Sequence, residues 1–297
     1  MPKPTIHHGT SIVTTGSCFS DNIGQKLAEN KFNVAVNPQG TCYNPLSIHK
    51  GLLMTEPDDD LFIENHGLWR HFDFHSKFSA ATKDELRELL IKQLQLPRTD
   101  IVMITYGTSW VYKHGKTGKI VANCHKRPQH EFEKILLTPE QIIQSFEELK
   151  ASIKQKVIVT LSPVRHIRDT LELNAVSKSI LRHAIYNFRD VEYFPAYEIM
   201  MDDLRDYRFY RSDMIHPSDV ATDYIWEKFG ERYFSKETRE LNERWQKVFR
   251  SLNHRTLNEG NAEHKSFLAG IQRELKSLDG MLNLSKELQE IERRIHA

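Results

Sequence analysis

The sequence predicts an α/β protein built on a mostly parallel sheet. Two apolar runs rich in β-branched residues, Ile101–Tyr106 and Val157–Leu161, have the composition of strands that are buried on both faces. Between them, Thr138 and Pro139 are typical of a helix start, and residues 141–149 have helical spacing. Buried strands that alternate with helices are typical of β-α-β units, whose strands lie side by side and parallel.

The same alternation continues toward both ends of the chain. The apolar run Ile12–Thr15 precedes a helical pattern over residues 19–27. A helical stretch over residues 173–188 leads to a short extended piece over residues 191–194. In an open parallel sheet a ligand binds beyond the carboxyl ends of the strands. The residues that follow each strand are therefore the candidates for a functional site.

The order of segments predicts one α/β domain over residues 1–234 and a helical extension over residues 235–297. Residues 56–80 break the alternation and predict an insertion with short strands of its own, and residues 110–128 predict a β-hairpin at the edge of the sheet. After residue 235 apolar residues recur every three or four positions, which predicts two or three amphipathic helices. These helices could pack within the chain, or pair with a second copy in a homodimer or with another partner.

Composition narrows the class of protein. The chain has 297 residues, 39% of them hydrophobic, and a net charge of +1, so no global field favours nucleic acid or an anionic membrane. Its three cysteines include no CxxC pair, which favours a reducing compartment over a disulfide framework. Residues 1–8 lack the apolar segment of a signal peptide, and no apolar run approaches the roughly 20 residues that span a bilayer. We therefore expect a cytoplasmic protein without a membrane span.

A turn from strand to helix near the start of the chain carries a candidate nucleophile. Ser17 follows Gly16 at the end of the first predicted strand, where helix N–H groups can hold a developing oxyanion. Far along the chain, Asp213 stands three residues before His216, so these side chains could supply an orienting carboxylate and a base for a Ser-His-Asp triad. The alternatives are that Ser17 only caps the following helix, or that the thiol of Cys18 is the nucleophile.

Six short segments give the chain a family likeness, in the order Gly16–Ser20, Thr105–Trp110, Val121–Lys126, Ser162–His166, Tyr193–Glu198 and Asp213–Pro217. Together they resemble the GSCFA family, a branch related to the SGNH/GDSL hydrolases, over roughly residues 1–234. The resemblance implies a flavodoxin-like three-layer α/β/α sandwich and a serine esterase or acyltransferase mechanism. It also implies that Ser17 is the nucleophile and that Asp213 and His216 complete the triad.

The resemblance further implies donors for the oxyanion. In the wider superfamily one donor is a Gly, which Gly40 matches, and another is an Asn in a Gly-x-Asn-Asp block. At that block this chain instead has Gly107, Thr108 and Ser109. The second donor is therefore left open among a backbone N–H near Gly107, the side chains of Thr108 and Ser109, and Asn123 in the predicted hairpin.

Two basic residues follow the second predicted buried strand and so fall at the expected site. Arg165 could hold a carboxylate or phosphate of the substrate through its planar guanidinium, or it could pair with Asp169 or Glu172. His166 stands beside it and is a further candidate for substrate or oxyanion binding.

The sequence leaves two functional hypotheses. The first is a serine esterase or acyltransferase that acts on an acyl ester, such as an acetyl ester, of a carbohydrate or small molecule. It needs no cofactor, and no metal is expected because His71 and His75, four residues apart, have no cluster of Cys and His to complete a site. The second is a catalytically weak or inactive binding module whose helical tail holds a partner, because the Gly-x-Asn-Asp block is missing.

Overall fold

The computed structural model describes residues 6–95, 99–253 and 262–296. The described chain forms two compact units. The larger one comprises residues 11–25 and 34–227, and the smaller one comprises residues 6–10, 26–33 and those from 228 onward. These units are defined by contacts and not by independent folding, so the division into domains at residue 234 stays a prediction.

The strands and helices are as follows. In the described residues the strands are β1 Ser11–Gly16, β2 Asn33–Val36, β3 Phe62–Asn65, β4 Leu68–His71, β5 Ile101–Tyr106, β6 Trp110–His114, β7 Ile120–Val121, β8 Phe132–Leu136, β9 Lys156–Leu161 and β10 Glu192–Phe194. The helices are α1 Cys18–Glu29, α2 Pro45–Leu53, α3 Lys83–Leu94, α4 Pro139–Ser152, α5 Thr170–Tyr186, α6 Ala196–Glu198, α7 Asp219–Tyr233, α8 Lys236–Asn253, α9 Ala262–Leu278 and α10 Ser285–His296.

A five-stranded sheet with the order β2-β1-β5-β9-β10 organises the larger unit. Its pairs β1–β5, β5–β9 and β9–β10 are all parallel. The order is that of a flavodoxin-like sheet, in which the direction of strand succession reverses between β1 and β5. The predicted α/β sandwich with a mostly parallel sheet is thus confirmed. Ligands of such sheets bind beyond the carboxyl ends of the strands at this switch point.

The core of the larger unit follows from the pattern of the two central strands. All six residues of β5 are buried, as expected for a strand with helices on both faces of its sheet. On one face, alternate residues of β5 and β9 pack against helices α2, α4 and α5. Helix α4 begins as predicted, because the Thr138 side chain accepts a hydrogen bond from the N–H of Gln141 and Pro139 occupies the first turn.

Two smaller antiparallel sheets complete the larger unit. The predicted insertion contains the hairpin β3–β4, whose Phe62 packs with residues of the following segment and of α3 in a separate apolar cluster. The hairpin predicted over residues 110–128 exists as β6–β7, but its placement at the edge of the main sheet was wrong. Strand β6 also pairs with β8, so the three strands form a sheet of their own.

The smaller unit is mostly helical, which confirms the predicted helical C-terminal region. Apolar residues spaced three and four apart on α8, α9 and α10 pack against each other and are buried. Within the same unit the indole N–H of Trp245 donates to the carbonyl oxygen of Glu29 at 2.6 Å, and Lys31 pairs with Glu287 at 2.6 Å. Packing within the chain therefore accounts for this spacing, and pairing with a second copy stays a prediction.

The close approach of β1 to β5 can be tested at Gly16. Its φ is +137°, and a Cβ added there would lie 2.1 Å from the carbonyl oxygen of Thr105. We expect Gly16→Ala to lower the free energy of unfolding by roughly 2–4 kcal/mol, through strained backbone and a backbone clash.

Gly67→Ala is the matched control for that variant. Gly67 also has a positive φ, +76°, but nothing lies within 4 Å of an added Cβ. It should cost only about 1–2 kcal/mol, from backbone strain alone. Urea unfolding measures both variants. Equal losses would show that the strand ends can separate without cost and that Gly16 is not required by packing.

Candidate active site

Ser17 occupies the turn between β1 and α1, at the switch point of the main sheet. Its own N–H donates to the carbonyl oxygen of Thr105 at 3.0 Å, and its carbonyl oxygen accepts from the N–H of Ser20 at 2.7 Å. The next residues, Cys18 and Phe19, open the helix. Their N–H groups have no partner within the helix, because the first turn of a helix leaves its amides unpaired. The turn therefore places a hydroxyl beside helix amides that favour negative charge.

A network centred on Asn37 holds this turn in place. The Asn37 side-chain oxygen accepts from the N–H of Gly16 at 2.8 Å, and its amide donates to Asp21 on α1 at 2.6 Å. The other oxygen of Asp21 accepts from the Thr41 hydroxyl at 3.1 Å. Asn37 is buried and has a φ of +40°, a conformation that Asn tolerates better than most residues. Nothing in the sequence pattern singled out Asn37 or Asp21, since their role depends on contacts between distant segments.

The Ser17 side chain is fully buried, and its hydroxyl has no hydrogen-bond partner among the described residues. The Nε2 atom of His166 is likewise buried and without a partner there. Both border Gly107, at the end of β5. The point where a Cβ of Gly107 would stand lies 3.0 Å from His166 Nε2, 3.3 Å from Ser17 Cβ and 3.3 Å from Tyr43 Cβ. The fold thus brings Ser17, Gly107 and His166 together.

Asp213 and His216 lie on the turn that precedes α7. The Nδ1–H of His216 donates to one oxygen of Asp213 at 2.7 Å. The other oxygen accepts from the backbone N–H groups of Ile215 at 2.8 Å and of His216 at 3.0 Å. These three hydrogen bonds, those from His216 foremost, hold the pKa of Asp213 well below its usual range. The carboxylate therefore stays ionised and leaves His216 Nε2 free to accept a proton.

The loop that follows β9 joins the two halves of the site. The N–H of Arg165 donates to the carbonyl oxygen of Ile215 at 3.2 Å, which ties this loop to the Asp213–His216 turn. Burial, together with the charges of Lys178 and His216, lowers the pKa of His166 to about 3. No hydrogen bond joins the Ser17 hydroxyl to His216 in the described residues. Such hydrogen bonds are often long in enzymes without substrate and shorten when it binds.

The predicted oxyanion donors are occupied in this structure. The N–H of Gly40 donates to the carbonyl oxygen of Asn37 at 2.7 Å. The N–H groups of Gly107 and Thr108 both donate to the carbonyl oxygen of Tyr43, at 2.8 and 3.0 Å. These three amides would have to exchange partners before they could bind an acyl oxygen.

Ser109 and Asn123 also have partners of their own. The N–H of Ser109 donates to the Ser177 hydroxyl at 2.8 Å, and the hydroxyl of Thr108 lies 3.1 Å from the same oxygen. Asn123 shapes the turn after β7, where its side-chain oxygen accepts from the N–H of His125 at 2.8 Å. In the described part of the chain no hydrogen bond joins Asn123 to Ser17 or Gly107.

Arg165 stacks on aromatic rings instead of forming either predicted ion pair. Its guanidinium carbon lies 4.0 Å from the ring centre of Tyr210 and 5.4 Å from that of Tyr207. Asp169 pairs with Lys134 instead. A cavity of about 210 Å³ opens beside these rings, and its lining includes Arg165, Met200, Met201, Leu204, Tyr207 and Tyr210.

Lys178 is a site residue that the sequence analysis did not identify. It is 2% exposed, and its ammonium donates to the carbonyl oxygens of Gly107 at 2.8 Å and of Ser162 at 2.7 Å. These carbonyls follow directly after β5 and β9. Burial lowers the pKa of Lys178 to about 7. A signal was present, because Lys178 stands three residues before Leu181 and seven before Ile185 in a stripe of α5 that is otherwise apolar or small.

Neither a metal cluster nor a spanning helix is found in the described ranges. No group of three His, Cys, Asp or Glu side chains there could hold a metal ion. His71 is engaged by the backbone, since its ring nitrogens lie 2.9 Å from the carbonyl oxygen of Asp58 and 3.1 Å from the N–H of Asp73. None of the described helices is both long and apolar enough to cross a bilayer.

The described chain is thus an α/β protein with a flavodoxin-like sheet. A serine lies at the switch point of that sheet, and an Asp–His pair lies on a nearby loop. The chain belongs to the GSCFA family, because residues 11–229 match the model of that family. Residues 245–297 match a second model, described as the C-terminal domain of GSCFA domain proteins. No curated protein matches the chain.

One solved structure with similarity to the chain is described as "a putative platelet activating factor from Streptococcus pneumonia". The match covers 74% of this chain and 83% of that one, at 12% identity and a TM-score of 0.38.

The burial of Lys178 predicts a pH dependence of stability. In the folded protein this lysine loses its proton near pH 7, whereas its ordinary pKa is 10.5. Between these values the unfolded chain binds more protons than the folded one, so the contribution of Lys178 to stability increases as pH rises. We expect the free energy of unfolding of the wild type, minus that of Lys178→Met, to rise by roughly 4 kcal/mol from pH 7 to pH 10.

Urea unfolding at several pH values measures this difference. Lys113→Met, at a lysine of β6 whose side chain is 43% exposed, is the control and should show a difference that does not change with pH. A flat difference for Lys178→Met as well would mean that the folded protein binds the proton of Lys178 as strongly as the unfolded chain does.

Proposed function

We propose that this protein is a serine esterase or acyltransferase of the SGNH type, acting on an acyl ester of a carbohydrate or small molecule. The observation that carries the proposal is the unpartnered hydroxyl of Ser17 at the switch point of the sheet, beside helix amides. The Asp213–His216 pair on the adjoining loop supports it, since His216 Nε2 is left as a proton acceptor.

The proposed reaction has two stages. The Ser17 oxygen attacks the carbonyl carbon of the ester, His216 takes the serine proton, and Asp213 stabilises the imidazolium that forms. The N–H groups of Cys18 and Phe19, in the first turn of α1, would donate to the oxyanion that develops. The alcohol then leaves with the proton from His216, and an acyl group remains on Ser17. Water or a second alcohol attacks this acyl-enzyme, which gives hydrolysis or transfer.

Substrate entry requires a movement next to Ser17, because this side chain is fully buried. Tyr43 and His166 border it, and their rings meet edge to face with centroids 5.5 Å apart. Tyr43 is 37% exposed, so its ring can move outward at little cost in packing. The cavity beside Arg165 then offers apolar and aromatic side chains, together with the charged groups of Arg165, Arg205 and Asp206, for a small part of the substrate.

Ser17 is a better candidate than Cys18 in this arrangement. The sulfur of Cys18 lies 3.5 Å from the hydroxyl oxygen of Tyr43. The contacts around Gly107, in contrast, place Ser17 next to His166. The Cys18 thiol therefore has a partner, whereas the Ser17 hydroxyl has none among the described residues.

Replacement of the candidate nucleophile is the direct test. With p-nitrophenyl acetate as substrate, we expect Ser17→Ala to lower kcat by about 10³-fold or more, because no covalent intermediate can form. Cys18→Ala should stay within about threefold of the wild type. A fluorophosphonate probe with mass spectrometry should label Ser17 in the wild type. Labelling of Cys18 instead, or no labelling of folded protein, would contradict the proposal.

Asp213→Asn tests the orienting role with little change to the turn. An Asn oxygen can still accept from the N–H groups of Ile215 and His216, but its NH2 group would face the Nδ1 of His216 and favour the wrong tautomer. We expect kcat to fall by about 10²–10⁴-fold, while the thermal midpoint stays within a few degrees of the wild type. Unchanged kcat would exclude the Asp213–His216 pair from the chemistry.

The second candidate is a catalytically weak or inactive binding module with a helical partner-binding tail. The occupied amides of Gly40, Gly107 and Thr108 favour it, because no acyl oxygen can use them in this state. Absence of both labelling and turnover would support it. A cytoplasmic location and homodimerisation through α8–α10 belong to our proposal as well, and sedimentation equilibrium of the full chain tests the dimer.

A further inference from the structure

Two polar atoms in the site are buried and unpartnered at the same place, the hydroxyl oxygen of Ser17 and the Nε2 of His166. Native proteins seldom leave such atoms unsatisfied, because each one has lost its bonds to water. The position that a Cβ of Gly107 would occupy lies 3.0 Å from His166 Nε2 and 3.3 Å from Ser17 Cβ, so these two side chains meet over the bare backbone of Gly107. A ligand atom bound beside Gly107 could therefore contact both side chains.

His166 has the properties of a neutral hydrogen-bond donor. Burial lowers its pKa to about 3, and the Lys178 and His216 charges act in the same direction. A neutral imidazole carries one N–H and can donate it, whereas so weak a base cannot accept the serine proton effectively at neutral pH. Of the two histidines at the site, His216 has the carboxylate partner that a base needs, and His166 has none among the described residues.

Lys178 binds the backbone at the ends of β5 and β9, close to His166. Its ammonium binds the carbonyl oxygens of Gly107 and Ser162, the first residues after β5 and β9. The loop after β9 carries His166, whose N–H donates to the side chain of Asn174 at 2.9 Å. Asn174 and Lys178 both stand on α5, one turn apart. Helix α5 therefore fixes the backbone of His166 at one point and the start of its loop at another.

We propose that the Nε2–H of His166 donates a hydrogen bond to the oxyanion of the tetrahedral intermediate, and that Lys178 is the positioning residue for His166. The inference rests on the proposed function, because it needs an acyl group on Ser17. As the bond between Ser17 Oγ and the carbonyl carbon forms, the carbonyl π bond breaks and its electron pair moves to the oxygen. The serine proton goes to His216, and His166 keeps its own proton throughout.

Two substitutions at His166 separate the roles that this residue could have. Gln places an amide nitrogen near the position of Nε2 and keeps a donor without a base, whereas Ala removes both. With p-nitrophenyl acetate we expect His166→Ala to lower kcat by about 10²–10³-fold with KM within threefold, as for loss of one oxyanion donor. His166→Gln should recover at least about tenfold of that loss, with the acid limb of the pH–rate profile unmoved.

Other outcomes would overturn the inference. If His166→Gln is as inactive as His166→Ala and the acid limb disappears, His166 is the base. A rise in KM with kcat unchanged would make it a ground-state contact to substrate. Unchanged kinetics in both variants would remove it from the site. If the wild type neither turns over the ester nor takes up the fluorophosphonate probe, the proposed function fails first and the inference falls with it.

The positioning role of Lys178 has a test of its own. Lys178→Gln keeps a donor for the two carbonyl oxygens, and Lys178→Met keeps only the length of the side chain. We expect kcat to fall by about tenfold in Lys178→Met and less in Lys178→Gln, with KM unchanged in both. Nitrogen NMR of the folded proteins should show the Nε2–H tautomer of His166 in the wild type. A dominant Nδ1–H tautomer in the wild type would overturn the proposal even if both variants fail to fold.

Discussion

The site depends on the close approach of two strand ends at Gly16. A glycine there lets the carbonyl oxygen of Thr105 lie 2.1 Å from the point where any other residue would have a Cβ, and the N–H of Ser17 then bonds to that oxygen. This places Ser17 against Gly107, whose own missing side chain leaves room for His166. Two glycines, one at the end of β1 and one directly after β5, thus let the Ser17 and His166 side chains meet at the switch point of the sheet.

The two histidines of the site differ in environment and therefore in chemistry. His216 is partly exposed, and its Nδ1–H donates to the Asp213 carboxylate. His166 is enclosed and faces the Lys178 ammonium and His216, which disfavour an imidazolium at this position. Lys178 compensates for its burial with two carbonyl partners instead of a carboxylate. In the reaction that we propose, burial and neighbouring charge thus separate a proton acceptor, His216, from a hydrogen-bond donor, His166, without any difference in residue type.

Local signals made much of the fold predictable, and non-local contacts explain most of what was missed. Strands β5 and β9, the start of α4 and the turn at Ser17 follow from apolar runs and helix-capping residues within a few positions of each other. The pairing of β6 with β8 was missed because nothing local distinguishes a separate sheet from the edge of a larger one. Asn37 acts through partners in two other segments, so sequence spacing gives no sign of it. Likewise, only three-dimensional contacts show that Tyr43 occupies the amides of Gly107 and Thr108.

The composition of the smaller unit has a consequence for how the chain folds during synthesis. The contact of Lys31 with Glu287 spans 256 residues, and that of Trp245 with Glu29 spans 216. The segment over residues 26–33 therefore leaves the ribosome long before its partners exist. Its contacts with α8 and α10 can form only after those helices have been translated. Contacts between residues that are so far apart in the sequence form slowly. Until they form, the nascent chain is open to aggregation and to chaperones.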